Sequence, residues 1–286
     1  MEFKRVFLVA SSGNIDKSDL NRAKRRLNKL DFEEILHRED ILDKHLSYAG
    51  NFLRRADELN DAYRVEDSLI SSVKGGMGAI HLLPYLDYSL IKRSKNIFLG
   101  YSDVTLLLNS IYQRTGSRCL HGPNTGNKKE FDMKTINCLK DVIAKRNYRV
   151  TFNEADTLVK GAASSKIVGG NVELLGRSLG TMFEIDTKDK VVFLEDYKMR
   201  SWRVYDILCQ LKLAGKFDHV RGVILGYFTE CGEDIDTYLR DFFKNFKCPV
   251  VMNQPIGHSE PNLTIPIGET CVIDTEKGYW GIRFKK

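Results

Sequence analysis

The chain has 286 residues, of which 42% are apolar and 29% are charged, and this balance indicates one large or two medium globular domains while excluding a disordered or fibrous chain. The formal charge of +6 comes from 44 basic and 38 acidic residues spread along the sequence, a pattern too diffuse to indicate nucleic-acid binding. The first apolar run is too short for a secretion signal or a membrane span, so we expect a cytoplasmic protein with no membrane partner.

Cysteine and histidine spacing argues against a metal or disulfide framework. The six cysteines include no C-x-x-C pair, and no two of the six histidines are four residues apart. We therefore expect reduced, structural thiols and no metal or organic cofactor.

The first half of the chain alternates short apolar runs with segments of helical periodicity, as parallel strands joined by helices do. The predicted strands are VFLVAS, SLISSV and NIFLG, and the predicted helices are KSDLNRAKRRLNKL, NFLRRADELNDAYR, AIHLLPYL and VTLLLNSIYQRT. From about residue 132 to 165 the pattern loosens into one amphipathic helix, a polar strand and an irregular stretch, which we interpret as the crossing between two domains.

A second α/β series follows. The predicted strands are KIVGG, VVFLE, GVILGYF and PVVMN, the predicted helices are VELLGRSLG, WRVYDILCQLKLAG and YLRDFFKNF, and the final two β-runs flank a hairpin turn at TEKG. The fold class expected is α/β, with one domain over 1–155 and a second over 165–286.

Four predicted strand ends carry residues that could do chemistry, and open α/β sheets bind ligands at such ends. In FLGYSDVT, the strand turns sharply into a helix at Ser102, which would project the hydroxyl outward. A helix cap made by Ser102 or Asp103 explains the same residues equally well. In VKGGMG, Gly75 and Gly76 allow either an oxyanion-binding loop or a tight structural turn.

The other two strand ends lie in the second half. Glu195 and Asp196 end the run VVFLED, where adjacent acids are often simply solvated or cap the next helix. The segment QPIGHSEPNLTIPIG carries His258 and Asn262 between prolines that fix the loop, although a lone histidine is more often structural. Together the four supply a serine, a carboxylate, an imidazole and backbone N–H donors, the set that nucleophilic acyl transfer requires.

The chain resembles the LD-carboxypeptidase family of serine peptidases, whose relatives include the microcin-immunity peptidases. The motifs that carry the resemblance occur in family order: YAGNFLRRADELNDAY, KGGMGAIHLLPYLD, FLGYSDVTLLL, HGP, GGNVELLGRSLGT, FLEDY, LGYFTEC and GHSEPNLTIPIG.

The resemblance implies roles for these residues. Ser102 matches the nucleophile, Glu195 the acid and His258 the base of a triad, while Gly75, Gly76 and the Asp103 N–H match the oxyanion hole. It also implies a flavodoxin-like or glutaminase-like N-terminal domain, a C-terminal α/β swivelling domain, a site in the cleft between them, and a homodimer.

Several positions depart from the family pattern. Lys74 replaces the usual arginine before the double glycine, Met77 replaces a common aromatic residue, and Ser259 follows His258 where glycine is common. We expect Lys74, Met77 and Asn262 to line the substrate pocket, and the ammonium of Lys74 to favour a substrate carboxylate.

The resemblance implies a serine carboxypeptidase that cleaves an L,D amide bond and releases terminal D-alanine from murein tetrapeptides during cell-wall recycling. Three alternatives remain open. One is a microcin-immunity-like peptidase acting on peptidyl-nucleotide amides, another is a non-catalytic sensor that binds muropeptides, and the third is an amidase with Cys231 as nucleophile.

Overall fold

The computed structural model describes residues 3–30, 32–128 and 131–284. The chain divides between Phe131 and Asp132 into two compact units. Both combine helices with a sheet, which confirms the expected α/β class.

The first unit alternates strands and helices. Its elements are β1 (Arg5–Val9), α1 (Lys17–Asn28), β2 (Glu34–Leu36), α2 (Phe52–Arg64), β3 (Ser68–Ser72), α3 (Tyr88–Arg93), β4 (Ile97–Gly100), α4 (Thr105–Thr115) and β5 (Cys119–His121). Short 3₁₀ helices cover Glu39–Leu42, Ala79–Tyr85 and Ser102–Val104. Side chains start the longer helices: Asp16 forms a capping box with Asp19 at α1, and Asn51 caps α2.

Within this unit the strands lie in the order β2-β1-β3-β4-β5, and all run parallel. This is the flavodoxin-like order, in which ligands bind where the chain switches direction between β1 and β3. Strands β3 (SLISS) and β4 (IFLG) are buried along their whole length, as expected of central strands in a parallel sheet that is covered on both faces. The fold therefore brings the segments after β1, β3 and β4 to one edge of the sheet.

The second unit has a larger, mixed sheet. Its elements are α5 (Met133–Ile143), β6 (Tyr148–Thr151), β7 (Thr157–Val159), β8 (Ala162–Asn171), α6 (Val172–Ser178), β9 (Val191–Tyr197), α7 (Ser201–Leu213), β10 (Gly222–Thr229), α8 (Ile235–Phe243), β11 (Val250–Val251), β12 (Ile265–Ile267), β13 (Thr270–Asp274) and β14 (Tyr279–Arg283). Eight strands pair in the order β6-β14-β13-β8-β9-β10-β11-β7. Strands β8, β9, β10 and β11 are parallel, and antiparallel strands flank them on both sides.

The boundary between the units precedes the one expected from the sequence. Residues of α5 and β6 belong to the second unit because β6 pairs with β14, the last strand of the chain. The predicted hairpin at TEKG forms between β13 and β14. The predicted helix AIHLLPYL is a 3₁₀ helix with Pro84 inside it.

Among the described residues, no helix is both long and apolar enough to cross a bilayer.

Gly169 is a position in the second sheet that tolerates no side chain. Its φ is +138°, and a Cβ there would overlap the carbonyl oxygen of Phe193 on the neighbouring strand. We expect Gly169→Ala to lower the free energy of unfolding by about 3 kcal/mol or more, because β8 and β9 would have to separate. Urea denaturation monitored by circular dichroism measures this.

Gly180→Ala is the matched control. Gly180 also has a positive φ, +76°, but no atom lies within 4 Å of the added Cβ, so only the backbone penalty of about 1–2 kcal/mol is expected. Equal losses in the two variants would contradict the prediction.

Candidate active site

Ser102 lies at a strained corner. It directly follows β4 and Tyr101, it begins the 3₁₀ turn that continues into α4, and its φ is +67°. A positive φ is uncommon for a residue other than glycine and costs on the order of 1–3 kcal/mol. This is the strand-turn-helix geometry of a nucleophile elbow. The alternative of a simple helix cap fits less well, because the Asp103 carboxylate accepts the N–H of Ala79, in another helix, at 2.8 Å.

Asn124 holds this corner and was not predicted from the sequence. Its side chain is buried, and its amide pairs with both backbone groups of Tyr101, at 3.3 Å to the N–H and 3.4 Å to the carbonyl. A Cβ on Gly100 would lie 3.1 Å from Asn124 Oδ1. Asn124 therefore fixes the residue that precedes Ser102.

The glycine-rich loop approaches Ser102 closely. A Cβ on Gly75 would lie 3.0 Å from Ser102 Cβ and 3.2 Å from Ser102 Oγ. Gly76 has φ +124°, and its Cβ would lie 3.0 Å from the backbone of Gly13. The Gly13 N–H donates to the Gly75 carbonyl at 3.2 Å. The two glycines therefore allow the backbone after β3 to pass beside the serine, at the switch point between β1 and β3.

A buried arginine lies beneath the glycine loop and was also not predicted. The Arg55 guanidinium donates to the carbonyls of Ser11 and Gly78, at 3.1 and 3.0 Å, and is 1% exposed. Burial lowers its pKa, and the Asp103 charge opposes that effect. Arg55 thus ties the loop after β1 to the loop after β3.

Lys74 and Met77 flank the double glycine. The Lys74 ammonium lies 3.4 Å from the Asp19 carboxylate and keeps 45% of its side chain exposed. Met77 is 47% exposed. Both side chains thus remain accessible to a bound molecule.

Glu195 and His258 form a close pair in the second unit. Glu195 lies in β9 and is completely buried, and its Oε2 is 2.7 Å from His258 Nδ1. His258 lies in the loop between β11 and β12, and its side chain is 12% exposed. A carboxylate at Nδ1 fixes the tautomer in which Nε2 accepts a proton.

The backbone before His258 is shaped for this pair. Gly257 has φ +108°, and a Cβ there would lie 2.6 Å from Glu195 Oε2. The Gly257 N–H donates to Asn262 Oδ1 at 3.0 Å, and the Asn262 N–H donates to Thr135 Oγ at 2.9 Å. Asn262 is buried and holds the histidine loop; its expected place in the substrate pocket stays a prediction.

The electrostatics of this cluster favour a basic imidazole. Burial lowers the pKa of His258, but the charge and hydrogen bond of Glu195, with a further contribution from Asp196, raise it above 6.5 overall. Burial and the neighbouring Glu195 charge raise the pKa of Asp196 to about 7. The Asp196 carboxylate accepts the N–H groups of Glu173 and Tyr197 and the amide of Asn171.

Cys231 is a poor candidate for the nucleophile. Burial raises the pKa of the Cys231 thiol to about 11, which disfavours the thiolate that a cysteine nucleophile needs. In the described ranges, no group of three or more metal-ligating side chains is assembled.

Family models match both halves of the chain. The one described as the LD-carboxypeptidase N-terminal domain matches residues 6–122, and the one described as the C-terminal domain matches residues 164–273. A probable murein peptide carboxypeptidase of Bacillus subtilis is 30% identical over 291 residues, covering 94% of this chain and 88% of the relative. The microcin C7 self-immunity protein MccF of Escherichia coli is 27% identical over 265 residues, covering 79% and 77%.

Solved structures show the same fold. A muramoyltetrapeptide carboxypeptidase from Oxalobacter formigenes superposes with a TM-score of 0.88 at 22% identity, covering 98% of this chain and 99% of the other. MccF in complex with glutamyl sulfamoyl guanosine superposes with a TM-score of 0.89 at 23% identity, covering 100% and 97%.

The raised pKa of His258 gives a pH dependence with a defined sign. A general base must be neutral, so with His258 as the base activity rises with pH through its pKa, and we expect the acid limb of kcat/KM at higher pH than for an unperturbed histidine. Glu195→Gln removes the negative charge and should move the His258 titration to lower pH, as measured by NMR of the imidazole C–H signals. Glu233→Gln, at an exposed carboxylate, should leave the His258 titration unchanged. An equally large shift in Glu233→Gln would contradict the conclusion that Glu195 raises the pKa of His258.

Proposed function

The chain belongs to the LD-carboxypeptidase family of serine peptidases, and we propose that it releases terminal D-alanine from murein tetrapeptides by hydrolysing the amide between an L-configured centre and the D-residue. It is a serine-type carboxypeptidase, a hydrolase that acts on a peptide bond. The observation that carries the substrate proposal is the relation to proteins named murein peptide carboxypeptidase and muramoyltetrapeptide carboxypeptidase.

In the proposed reaction, Ser102, His258 and Glu195 act as a triad. Ser102 Oγ attacks the carbonyl carbon and its proton passes to His258 Nε2, while Glu195 stabilises the resulting imidazolium through Nδ1. The C–N bond then breaks, and His258 returns the proton to the departing amine of D-alanine. Water, deprotonated by His258, hydrolyses the ester and restores Ser102. The strained corner at Ser102 and the 2.7 Å contact between His258 and Glu195 support these roles.

The oxyanion hole in this proposal is made by the backbone N–H groups of Gly75, Gly76 and Asp103. The close approach of Gly75 to Ser102 supports it. In the part of the chain that is described, the N–H groups of Gly75 and Gly76 donate to no other protein group. Such a donor contributes about 10²–10³ to the rate when it points at the developing negative charge.

A second candidate is cleavage of an aminoacyl or peptidyl amide attached to a nucleotide. The similarity to MccF, whose structures include complexes with glutamyl sulfamoyl guanosine and aspartyl sulfamoyl adenosine, favours this alternative. We prefer the murein substrate because the relative with the higher identity and coverage is named for it. A sensor that binds muropeptides without cleaving them is the third candidate.

Location and assembly belong to the same proposal. A cytoplasmic enzyme that recycles cell-wall peptides and forms a homodimer agrees with the family resemblance. Light scattering of the purified protein measures the assembly.

Ser102→Ala should abolish hydrolysis without unfolding the chain, because it removes the attacking oxygen and little else. Wild type and variant are incubated with murein tetrapeptides that carry lysine or diaminopimelate, and mass spectrometry follows the loss of one alanine. Ser164→Ala, at an exposed serine of β8, is the control and should cleave normally.

Each outcome of this assay has a meaning. Full activity in Ser102→Ala would overturn the nucleophile assignment. If no form of the protein cleaves either tetrapeptide, sulfamoyl-nucleotide amides are tested on the same preparation, and cleavage there would favour the second candidate. Calorimetric binding of a tetrapeptide without product would favour the sensor.

Lys74→Ala tests whether this side chain binds a substrate carboxylate. Removing a partly exposed ammonium beside the glycine loop should raise KM about tenfold and leave kcat within twofold, because the interaction is equal in the ground and transition states. Lys92→Ala, at an exposed lysine of α3, should change neither constant. An unchanged KM in Lys74→Ala would remove Lys74 from the pocket.

A further inference from the structure

The Tyr197 ring lies flat against the His258 imidazole. The two ring centroids are 4.8 Å apart and the ring planes differ by 4°, which is an offset-stacked arrangement. Glu195 contacts the same imidazole in a different direction, at the Nδ1 edge. The imidazole is thus contacted on its face and on its edge by two residues of one strand.

The alternation of β9 explains how one strand supplies both contacts. Successive side chains of a strand point to opposite faces of the sheet, so Glu195 and Tyr197 share a face and Asp196 points to the other. The Asp196 carboxylate accordingly accepts the Glu173 N–H at the start of α6. The two residues that meet His258 are therefore set by the register of β9.

We propose that Tyr197 is a positioning residue that fixes the ring plane of His258 and thereby the direction of Nε2. The inference rests on the proposed function, in which His258 is the general base. The hydrogen bond at Nδ1 fixes one edge of the imidazole, while rotation about that bond must be limited by other contacts. A parallel ring against its face removes this freedom, and misplacement of a catalytic group by about 1 Å can cost 10²-fold in rate.

The backbone of Tyr197 is itself well held. Its N–H donates to Asp196 Oδ1 at 2.7 Å, and it pairs with Thr229 on β10. The next residue, Lys198, donates its N–H to the Thr229 carbonyl at 3.0 Å. The Tyr197 residue nevertheless remains 36% exposed, so burial of the ring in the core does not account for its position.

The effect of the Tyr197 ring on the pKa of His258 depends on the other charges around the imidazole. Glu195 and Asp196 contribute negative charge from β9. The Lys198 ammonium lies 5.0 Å from the Tyr197 ring centroid and 3.6 Å from the Glu230 carboxylate, which offsets its charge. The π face of Tyr197 favours the imidazolium over the neutral imidazole, so its loss should make the base weaker as well as less well oriented.

Tyr197→Leu and Tyr197→Phe separate the ring face from the hydroxyl. Hydrolysis of a murein tetrapeptide gives kcat and KM, and NMR of the imidazole C–H signals gives the His258 titration without need of activity. We expect Tyr197→Leu to lower kcat about tenfold with KM within twofold, and to lower the titration midpoint by about half a pH unit. Tyr197→Phe, which keeps the aromatic ring, should have the kcat and the His258 titration midpoint of the wild type. Tyr238→Leu, on α8, should also behave as wild type.

Several results would overturn the inference. Unchanged kcat and titration in Tyr197→Leu would show that the ring does not position the base. Equal impairment in Tyr197→Phe would assign the effect to the hydroxyl, and a raised KM with normal kcat would make Tyr197 a substrate contact. If the wild type cleaves no tetrapeptide, the proposed function fails separately, while a titration shift in Tyr197→Leu but not in Tyr197→Phe still supports the stacking role.

Discussion

The contact between the buried Glu195 carboxylate and the His258 imidazole is the constraint on which the second unit depends. Removing a carboxylate from water costs several kcal/mol unless a partner compensates, and His258 at 2.7 Å is that partner. The contact requires the chain before the histidine to pass beside the carboxylate, which only a glycine at position 257 allows. The hydrogen bond from the Gly257 N–H to Asn262 stabilises this backbone conformation. Gly257, His258 and Asn262 therefore position the imidazole together.

The first unit meets a corresponding constraint at Ser102. A positive φ at a serine persists only where the surroundings determine it. Here the buried strand β4 leads into the corner, Asn124 binds the residue before the serine, and the absence of a side chain at Gly75 lets the next loop come close. The stability gained in the sheet and in α4 sustains the strain at Ser102.

Much of the fold could be predicted because strands such as β1, β4, β9 and β10 are apolar runs that alternate with segments of helical periodicity. The strands that were not predicted, β2, β5, β7 and β12, have three residues each, too few to show a period. Proposing Ser102, Glu195 and His258 together required their order at strand ends and a family resemblance, since each alone has a structural explanation. Asn124, Arg55 and Tyr197 could not be found in this way, because their contacts join residues far apart in sequence and depend on the topology.

The alternation of side chains along β9 determines which charged groups surround His258. Glu195 and Asp196 are adjacent and buried, yet they point to opposite faces, so each finds its own donors. Three hydrogen bonds to Asp196 favour its charged form while burial and Glu195 disfavour it, which leaves its pKa at about 7. When Asp196 is ionised, the negative potential at His258 increases. In the proposed reaction, that potential favours the imidazolium that forms when His258 accepts the Ser102 proton, and donors and charges that are fixed beforehand need little reorganisation at that step.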